Sequence, residues 1–412
     1  MTRRLLPLLL LSLALLAPLP GFALNEWTVL VYMVNDDDES ALEDANLRNL
    51  AEMARIGAGA GSEILLQIDG RPGARFGGFL SGLFGGGNSD LKYSGGSRWV
   101  LQGSAFAREE KLDEVNMGSP MVLWEALKWA AQKHPARHYY LVVNSHGSGV
   151  FSWRGVGGTS SAYPGAVEFD PGRFVAYDDT DKDCLTVFEL EAVLRAFAER
   201  LNNGRPLDVV GFDACLPASI EVLYQLRDSF AFMVGSADTT PINGFNYPAI
   251  AQRLKQEPAV KPETLAVFSA KSNNQRTMGA WRMDKAAPLT FAFNNLAMEI
   301  AKAQDEKGQK FTASGMTAYG GKDRYWNLLT LCESVRAGRT NLTGAGNAQF
   351  IRQMAEEVIE GLKAIQMSET GALTVAWPTS AEYWQFHRFY KALAFARDTK
   401  WDEVLDRREV GR

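Results

Sequence analysis

The stretch Leu207-Asp208-Val209-Val210-Gly211-Phe212-Asp213-Ala214-Cys215-Leu216-Pro217 decides the fold. Its first six residues form a short, nearly continuous apolar run, the pattern of a strand buried on both faces. From Ala218 to Phe230 apolar residues recur at helical spacing, and Ala231–Ser236 is again a strand pattern. Strand, helix, strand is a βαβ unit, whose right-handed crossover makes the two strands parallel. The same alternation holds upstream. Trp27–Val34, Glu63–Asp69, Trp99–Gln102 and His138–Asn144 read as strands, and Ser40–Ile56, Pro120–Lys133 and Leu185–Leu201 as helices. The expectation is an α/β fold: a mainly parallel sheet with helices on both faces. Two glycine-rich and polar stretches, Arg71–Ser97 and Ser148–Asp183, break both periodicities and read as long loops.

Past about residue 250 helices dominate, at Thr264–Asn274, Ala287–Gln304 and Asn347–Ala364, with strand patterns at Met278–Asp284 and Gly371–Trp377. Residues 24–250 therefore read as one domain, and residues 251–412 as a mainly helical region that adds strands to its sheet. Residues 1–23 have the layout of a signal peptide: Arg3-Arg4, an apolar stretch Leu5–Leu19, and small residues at Gly21 and Ala23. The expectation is export to the periplasm or the outside of the cell, with no membrane attachment after signal removal; the rival is an uncleaved anchor. Net charge is -5 with no basic run, so nothing points to nucleic acid. Three cysteines at wide spacing, Cys184, Cys215 and Cys332, do not make a disulfide framework, so at least one thiol is left over.

Cys215 lies between the carboxyl end of a strand and the expected start of a helix, where the dipole favours thiolate. His146 follows the strand ending at Asn144 and is flanked by Ser145, Gly147, Ser148 and Gly149. Ligand sites in open α/β sheets form at the carboxyl ends of strands. Singly, Cys215 also fits a buried apolar cysteine and His146 a structural histidine. As a pair past two strands of one sheet, they suit nucleophilic catalysis by a cysteine with a histidine partner. The sequence has no G-x-S-x-G, H-E-x-x-H or phosphate-binding loop, and its cysteines lack metal-ligand spacing. Asp178, Asp179, Asp181 and Asp183 would suit a hard cation such as calcium, but Cys184 and Leu190 break the EF-hand pattern. The other reading is a solvated loop whose last Asp, or Thr186, caps the next helix.

Five ordered segments together resemble the clostripain-type cysteine peptidases, relatives of caspases, gingipains and legumains. They are Trp27–Met33, Asn144–Gly147, Tyr177–Thr186, Gly211–Leu216 and Gly235–Tyr247. The resemblance implies a caspase-like three-layer sandwich and an endopeptidase acting on peptides or proteins after Arg or Lys. By the resemblance Cys215 attacks the scissile carbonyl, His146 protonates the leaving amine, and the N–H groups of Gly147 and Cys215 hold the oxyanion. Asp213 matches an acidic residue of the specificity pocket. Where some relatives have a second acid this chain has Asn243, with Asp238 as the substitute. Self-cleavage after a basic residue downstream of His146 would use Arg154 or Arg173. The chemistry requires no cofactor, while calcium dependence occurs in the family. Two alternatives stand beside this reading: an inactive caspase-like domain that binds peptides or cell-envelope partners, and a peptidase of non-basic specificity. The oligomeric state is not encoded in any of these features.

Overall fold

The computed structural model describes residues 24–35, 40–70, 74–75, 92–93, 95–150, 173–320 and 324–407. The expected signal peptide and much of both long loops lie outside the described residues. Eight strands form the main sheet: β1 (Asn25–Asn35), β2 (Ser62–Gly70), β3 (Ser97–Gln102), β4 (Ala105–Lys111), β5 (Ala136–Asn144), β6 (Leu207–Asp213), β7 (Phe230–Ser236) and β8 (Met278–Arg282). Their order is β8-β7-β6-β5-β1-β2-β3-β4. The five strands from β7 to β2 run parallel, and β8 and the β3–β4 hairpin are antiparallel additions at the two edges.

Alternation along β1 explains the layers. Leu30, Tyr32 and Val34 face one core with Leu141, Val143, Val210 and Phe212. Val29, Val31 and Met33 face the other with Tyr140, Val142 and Val209. Each such side chain contributes about 1.5–3 kcal/mol relative to exposure, and a one-residue slip would exchange the faces, so the register is firmly specified.

Among the described residues the α-helices are α1 (Ser40–Ile56), α2 (Pro120–Lys133), α3 (Val187–Leu201), α4 (Ile220–Gln225), α5 (Tyr247–Gln256), α6 (Pro262–Ser272), α7 (Ala286–Lys307), α8 (Leu328–Arg336), α9 (Ala348–Ile365), α10 (Ser380–Ala392), α11 (Ala394–Asp398) and α12 (Trp401–Asp406). Leu47 and Leu50 of α1, Ile250 of α5 and Leu265 of α6 cover the second core. Leu123 of α2, Leu194 of α3 and Leu223 of α4 cover the first, which continues unbroken into the later helices through Ile300, Leu331, Val358 and Tyr390. The architecture is the expected caspase-like three-layer sandwich, with a mainly helical C-terminal extension on one face. Among the described residues no helix is long and apolar enough to cross a membrane.

Several elements differ from expectation. Inside the stretch read as a long loop, Arg173–Asp178 is a strand that pairs antiparallel with Asp183–Thr186 in a small separate sheet. The helix read over Ala218–Phe230 is only Ile220–Gln225. Ser219 caps it, its Oγ accepting from Val222 N–H at 3.3 Å, and the turn closed by Ser229 N–H to Leu226 O redirects the chain into β7. The strand read at Gly371–Trp377 shortens to Thr374–Ala376 and joins Tyr325–Asn327 and Ala318–Tyr319 in a separate sheet. Among the described residues of the C-terminal half only β8 extends the main sheet.

Candidate active site

The register of β5 against β6 pairs Asn144 with Asp213 at the carboxyl edge of the sheet. His146 and Cys215 each lie two residues beyond that pair, so the two chains leave the sheet level with each other. Glycine then allows contact. A Cβ on Gly147 would lie 2.4 Å from the Cys215 carbonyl oxygen and 3.0 Å from its nitrogen. Gly149, at φ +67°, has Tyr325 Oη and the Leu216 carbonyl where a side chain would go. Only residues without Cβ let the His146 loop lie flat on the Cys215 loop. His146 and Cys215 are both half-buried.

The His146 loop is also held from its far side. Ser148 N–H donates to Phe174 O at 3.3 Å, beside the bridge between Gly147 and Val175. In that bridge Gly147 is the non-hydrogen-bonded partner, whose N–H points away from the 173–178 strand. Ser145 Oγ accepts from Tyr177 N–H at 2.8 Å, and Tyr177 Oη donates to Ser148 Oγ at 2.8 Å.

On the Cys215 side, Leu216 takes a left-handed conformation, φ +66°. A non-glycine residue there stores about 1–3 kcal/mol of strain, which surrounding bonds must hold. Leu216 N–H donates to Asp238 O at 3.3 Å and Ala218 N–H to Ser236 O at 3.1 Å. Thr240 closes over the sulfur: its N–H donates to Cys215 Sγ at 3.3 Å and its hydroxyl to Ala214 O at 2.8 Å. The other cysteines are buried, and burial pushes the Cys332 thiol far above its ordinary value, which makes it inert.

Asp213 is 3% exposed. Its Oδ2 accepts from Asn144 Nδ2 at 2.7 Å and Tyr247 Oη at 2.8 Å, and the carboxylate also takes Phe245 N–H. Burial raises its pKa, and the three donors pull it partly back. Gly244, at φ +57°, passes so close that a Cβ would stand 2.5 Å from Oδ2. Asn144 is tied to Asn46 of α1, which also donates to Asn35 Oδ1 at 2.7 Å. Asn243 is exposed, and its carbonyl accepts from Asn49 Nδ2 at 2.6 Å. Asp238 is half-buried, its Oδ1 accepting from Gly320 N–H at 3.3 Å.

The acidic segment behaves differently. Asp178 is fully buried, its oxygens accepting from Met117 N–H at 2.8 Å and Asp181 N–H at 2.9 Å. Asp181 and Asp183 are exposed, and Asp183 accepts from Asn116 and from Cys184 N–H. Asp179 is half-buried. Among the described residues no three His, Cys, Asp or Glu side chains come together as a metal-binding group. Thr186, not Asp183, caps α3, in a capping box with Glu189. Arg154 lies outside the described residues, and Arg173 opens the strand facing Thr186. Sequence reading does not assign roles to Thr240, Asn144 or Tyr247.

A thiol and an imidazole on adjoining loops, with the Thr240 amide on the sulfur, can support nucleophilic attack with acid–base help. Comparison with known proteins points the same way. The model of the clostripain family (Peptidase_C11) matches residues 31–407. Clostripain of Hathewaya histolytica is 26% identical over 172 residues, which span 39% of this chain and only 29% of that relative's length. An inactive zymogen of a C11 protease from Parabacteroides distasonis is similar in structure with a TM-score of 0.62 at 15% identity, covering 91% of this chain and 98% of that one. A secreted C11 cysteine protease from Bacteroides thetaiotaomicron, solved with an irreversible peptide inhibitor, gives 0.56 at 16% identity over 89% and 99%. At these identities the structural likeness speaks for the fold.

Proposed function

Because this chain belongs to the clostripain family, we propose that it is an exported cysteine endopeptidase using Cys215 and His146, cutting after Arg or Lys. The observation that carries the reading is the level exit of His146 and Cys215 from paired strands, with Gly147 packed on the Cys215 backbone.

In the proposed reaction the Cys215 thiolate attacks the scissile carbonyl carbon and forms a C–S bond. The carbonyl π pair moves to oxygen, where the N–H groups of Gly147 and Cys215 stabilise it; such donors are worth about 2.7–4 kcal/mol each. The oxyanion collapses, the C–N bond breaks, and imidazolium His146 gives its proton to the departing amine. His146 then takes a proton from water, which attacks the thioester and expels the thiolate. One water is consumed per peptide bond, and no cofactor enters. Asp213 would pair with the basic side chain before the scissile bond, the cation offsetting the cost of its burial. Asp238 and Asn243 would line the same pocket. Self-cleavage at Arg154 or Arg173 is the proposed activation step, in keeping with the zymogen form of one structural relative. The signal-peptide layout and the secreted relative support export. A calcium requirement would show as loss of activity in chelator.

The test is labelling of the purified mature chain with an Arg-directed acyloxymethyl ketone, read by mass spectrometry. Modification confined to Cys215, and loss of turnover in folded Cys215→Ala, are expected. A chain that never labels, yet binds peptides tightly, is an inactive caspase-like binder; labelling only by neutral analogues overturns the basic specificity.

A further inference from the structure

The short α4 removes one expected source of thiolate stabilisation. Its cap is Ser219, so four residues separate Cys215 from the helix, and a helix of six residues has little dipole to offer. A donor that does sit on the sulfur is the Thr240 amide, at 3.3 Å.

Several features fix that amide in place. Pro241 restricts Thr240 to extended backbone, which limits where its N–H can point. The Thr240 hydroxyl holds Ala214 O at 2.8 Å, one residue before the cysteine. Beyond it, Gly244 N–H closes a turn on Pro241 O at 2.8 Å, and Asn49 of α1 anchors the Asn243 carbonyl. On the near side Leu216 N–H reaches Asp238 O. The loop is thus bonded to the cysteine segment before, at and after the sulfur.

We propose that Thr240 is a positioning residue for Cys215, its hydroxyl clamping the Ala214 carbonyl so that its own N–H donates to Sγ and stabilises the thiolate. The proposal rests on Cys215 being the nucleophile. Donation from an amide favours the charged sulfur over the thiol. The other titratable groups around the sulfur segment include His146 on the β5 loop, Asp213 at the end of β6, Asp238 on the Thr240 loop and Tyr325, packed against Gly149 and Leu216. All of these remain when Thr240 is changed.

The experiment is the rate of Cys215 alkylation by iodoacetamide from about pH 5 to about pH 9, where only thiolate displaces iodide. It uses the purified mature chain, with Cys215→Ala as the blank and mass spectrometry to assign the adduct. Thr240→Val keeps the shape and deletes the hydroxyl. It should alkylate roughly tenfold more slowly at acid pH, the effect of losing one charge-assisted hydrogen bond. It should converge on the parent at alkaline pH, and Thr240→Ser should follow the parent throughout. A Thr240→Val profile identical to the parent, or slowed equally at every pH, overturns the proposal. If that variant is insoluble, Thr240→Ala makes the same deletion. Alkylation needs no substrate: a chain that shows these profiles yet cuts no peptide would sink the peptidase reading and leave the role of Thr240 standing.

Discussion

Asp213 and Glu221 stand on either side of Cys215, and both are buried acids, 3% and 0% exposed. They differ in what surrounds them. Asp213 takes donors from the carboxyl edge of the sheet and the segment after Gly244: Asn144 at the end of β5, Phe245 N–H and Tyr247 at the start of α5. Glu221 takes two donors from the C-terminal region, Ala376 N–H at 2.8 Å and Tyr390 Oη at 3.0 Å, both on Oε1, beside its own N–H and the Ser219 hydroxyl. Among the described residues its Oε2 has no hydrogen-bond partner. Next to it Thr374 donates through both N–H and hydroxyl to Ala218 O, each at 3.0 Å. Burial raises the pKa of both acids, and that of Glu221 reaches about 7. A displaced pKa in a buried acid therefore does not by itself mark a functional site. The partners of each carboxylate separate an acid tied to the His146 strand and the 245–247 segment from one that staples the C-terminal extension beneath the cysteine loop.

The strongest way to break this contrast is to delete each acid. Asp213→Ala should cut kcat/KM on Arg and Lys substrates by about 3–4 kcal/mol, roughly a hundredfold to a thousandfold, with a much smaller loss on a neutral substrate. Glu221→Gln should leave the ratio of basic to neutral substrates unchanged. Equal losses of Asp213→Ala on both substrates would make Asp213 a second structural acid and collapse the distinction.

Stability against pH sharpens it next. Glu221 rises from 4.5 to about 7 in the folded chain. Its contribution is intact below about pH 4.5 and is lost as pH climbs through about 7, because the folded state then carries a buried charge. The full span is about 3 kcal/mol. Denaturant unfolding at pH 5 and pH 8 should show the parent losing stability across this range and Glu221→Gln losing clearly less. The slope left in that variant contains the Asp213 contribution, which has the same sign. Parallel slopes in parent and variant would mean that Glu221 is ionised and satisfied throughout.

The same contrast separates what local sequence pattern encodes from what only the folded chain brings together. The strands are legible in the sequence because both faces of Val29–Val34 are apolar and demand two cores, and each main strand expected at residues 27–236 is present with ends shifted by one or two residues. Cys215 and His146 are legible because each follows such a strand. The length of α4 is not: Ile220, Leu223 and Leu226 keep helical spacing, while the stop is imposed by the turn into β7. The destination of Thr374–Ala376 is not, because strand pairing is a long-range choice, here with Tyr325–Asn327. Thr240 and Tyr247 escape sequence reading for the same reason. Thr240 reaches Ala214 across 26 residues, and Tyr247 reaches Asp213 across 34, distances over which no local pattern operates. The acidic segment is readable as composition only; the backbone donors that occupy Asp178 come with the fold.

The finest comparison makes one chemical change in both regions. Tyr247→Phe and Tyr390→Phe each delete a hydroxyl that donates to a buried carboxylate, at 2.8 and 3.0 Å. Each loss should cost about 1.5 kcal/mol when the acid is ionised, and each raises the pKa of its acid further. The readouts should part. In Tyr247→Phe the Asp213 carboxylate protonates more readily, so the acid limb of kcat/KM on Arg substrates should move to higher pH. Its neutral-substrate profile should stay where it is. Tyr390→Phe should leave both kinetic profiles in place and lower the unfolding free energy at pH 8 more than at pH 5, since only ionised Glu221 misses the strong donor. A shift of the Arg profile in Tyr390→Phe would tie Glu221 to the pocket. The absence of a shift in Tyr247→Phe would cut Asp213 loose from it.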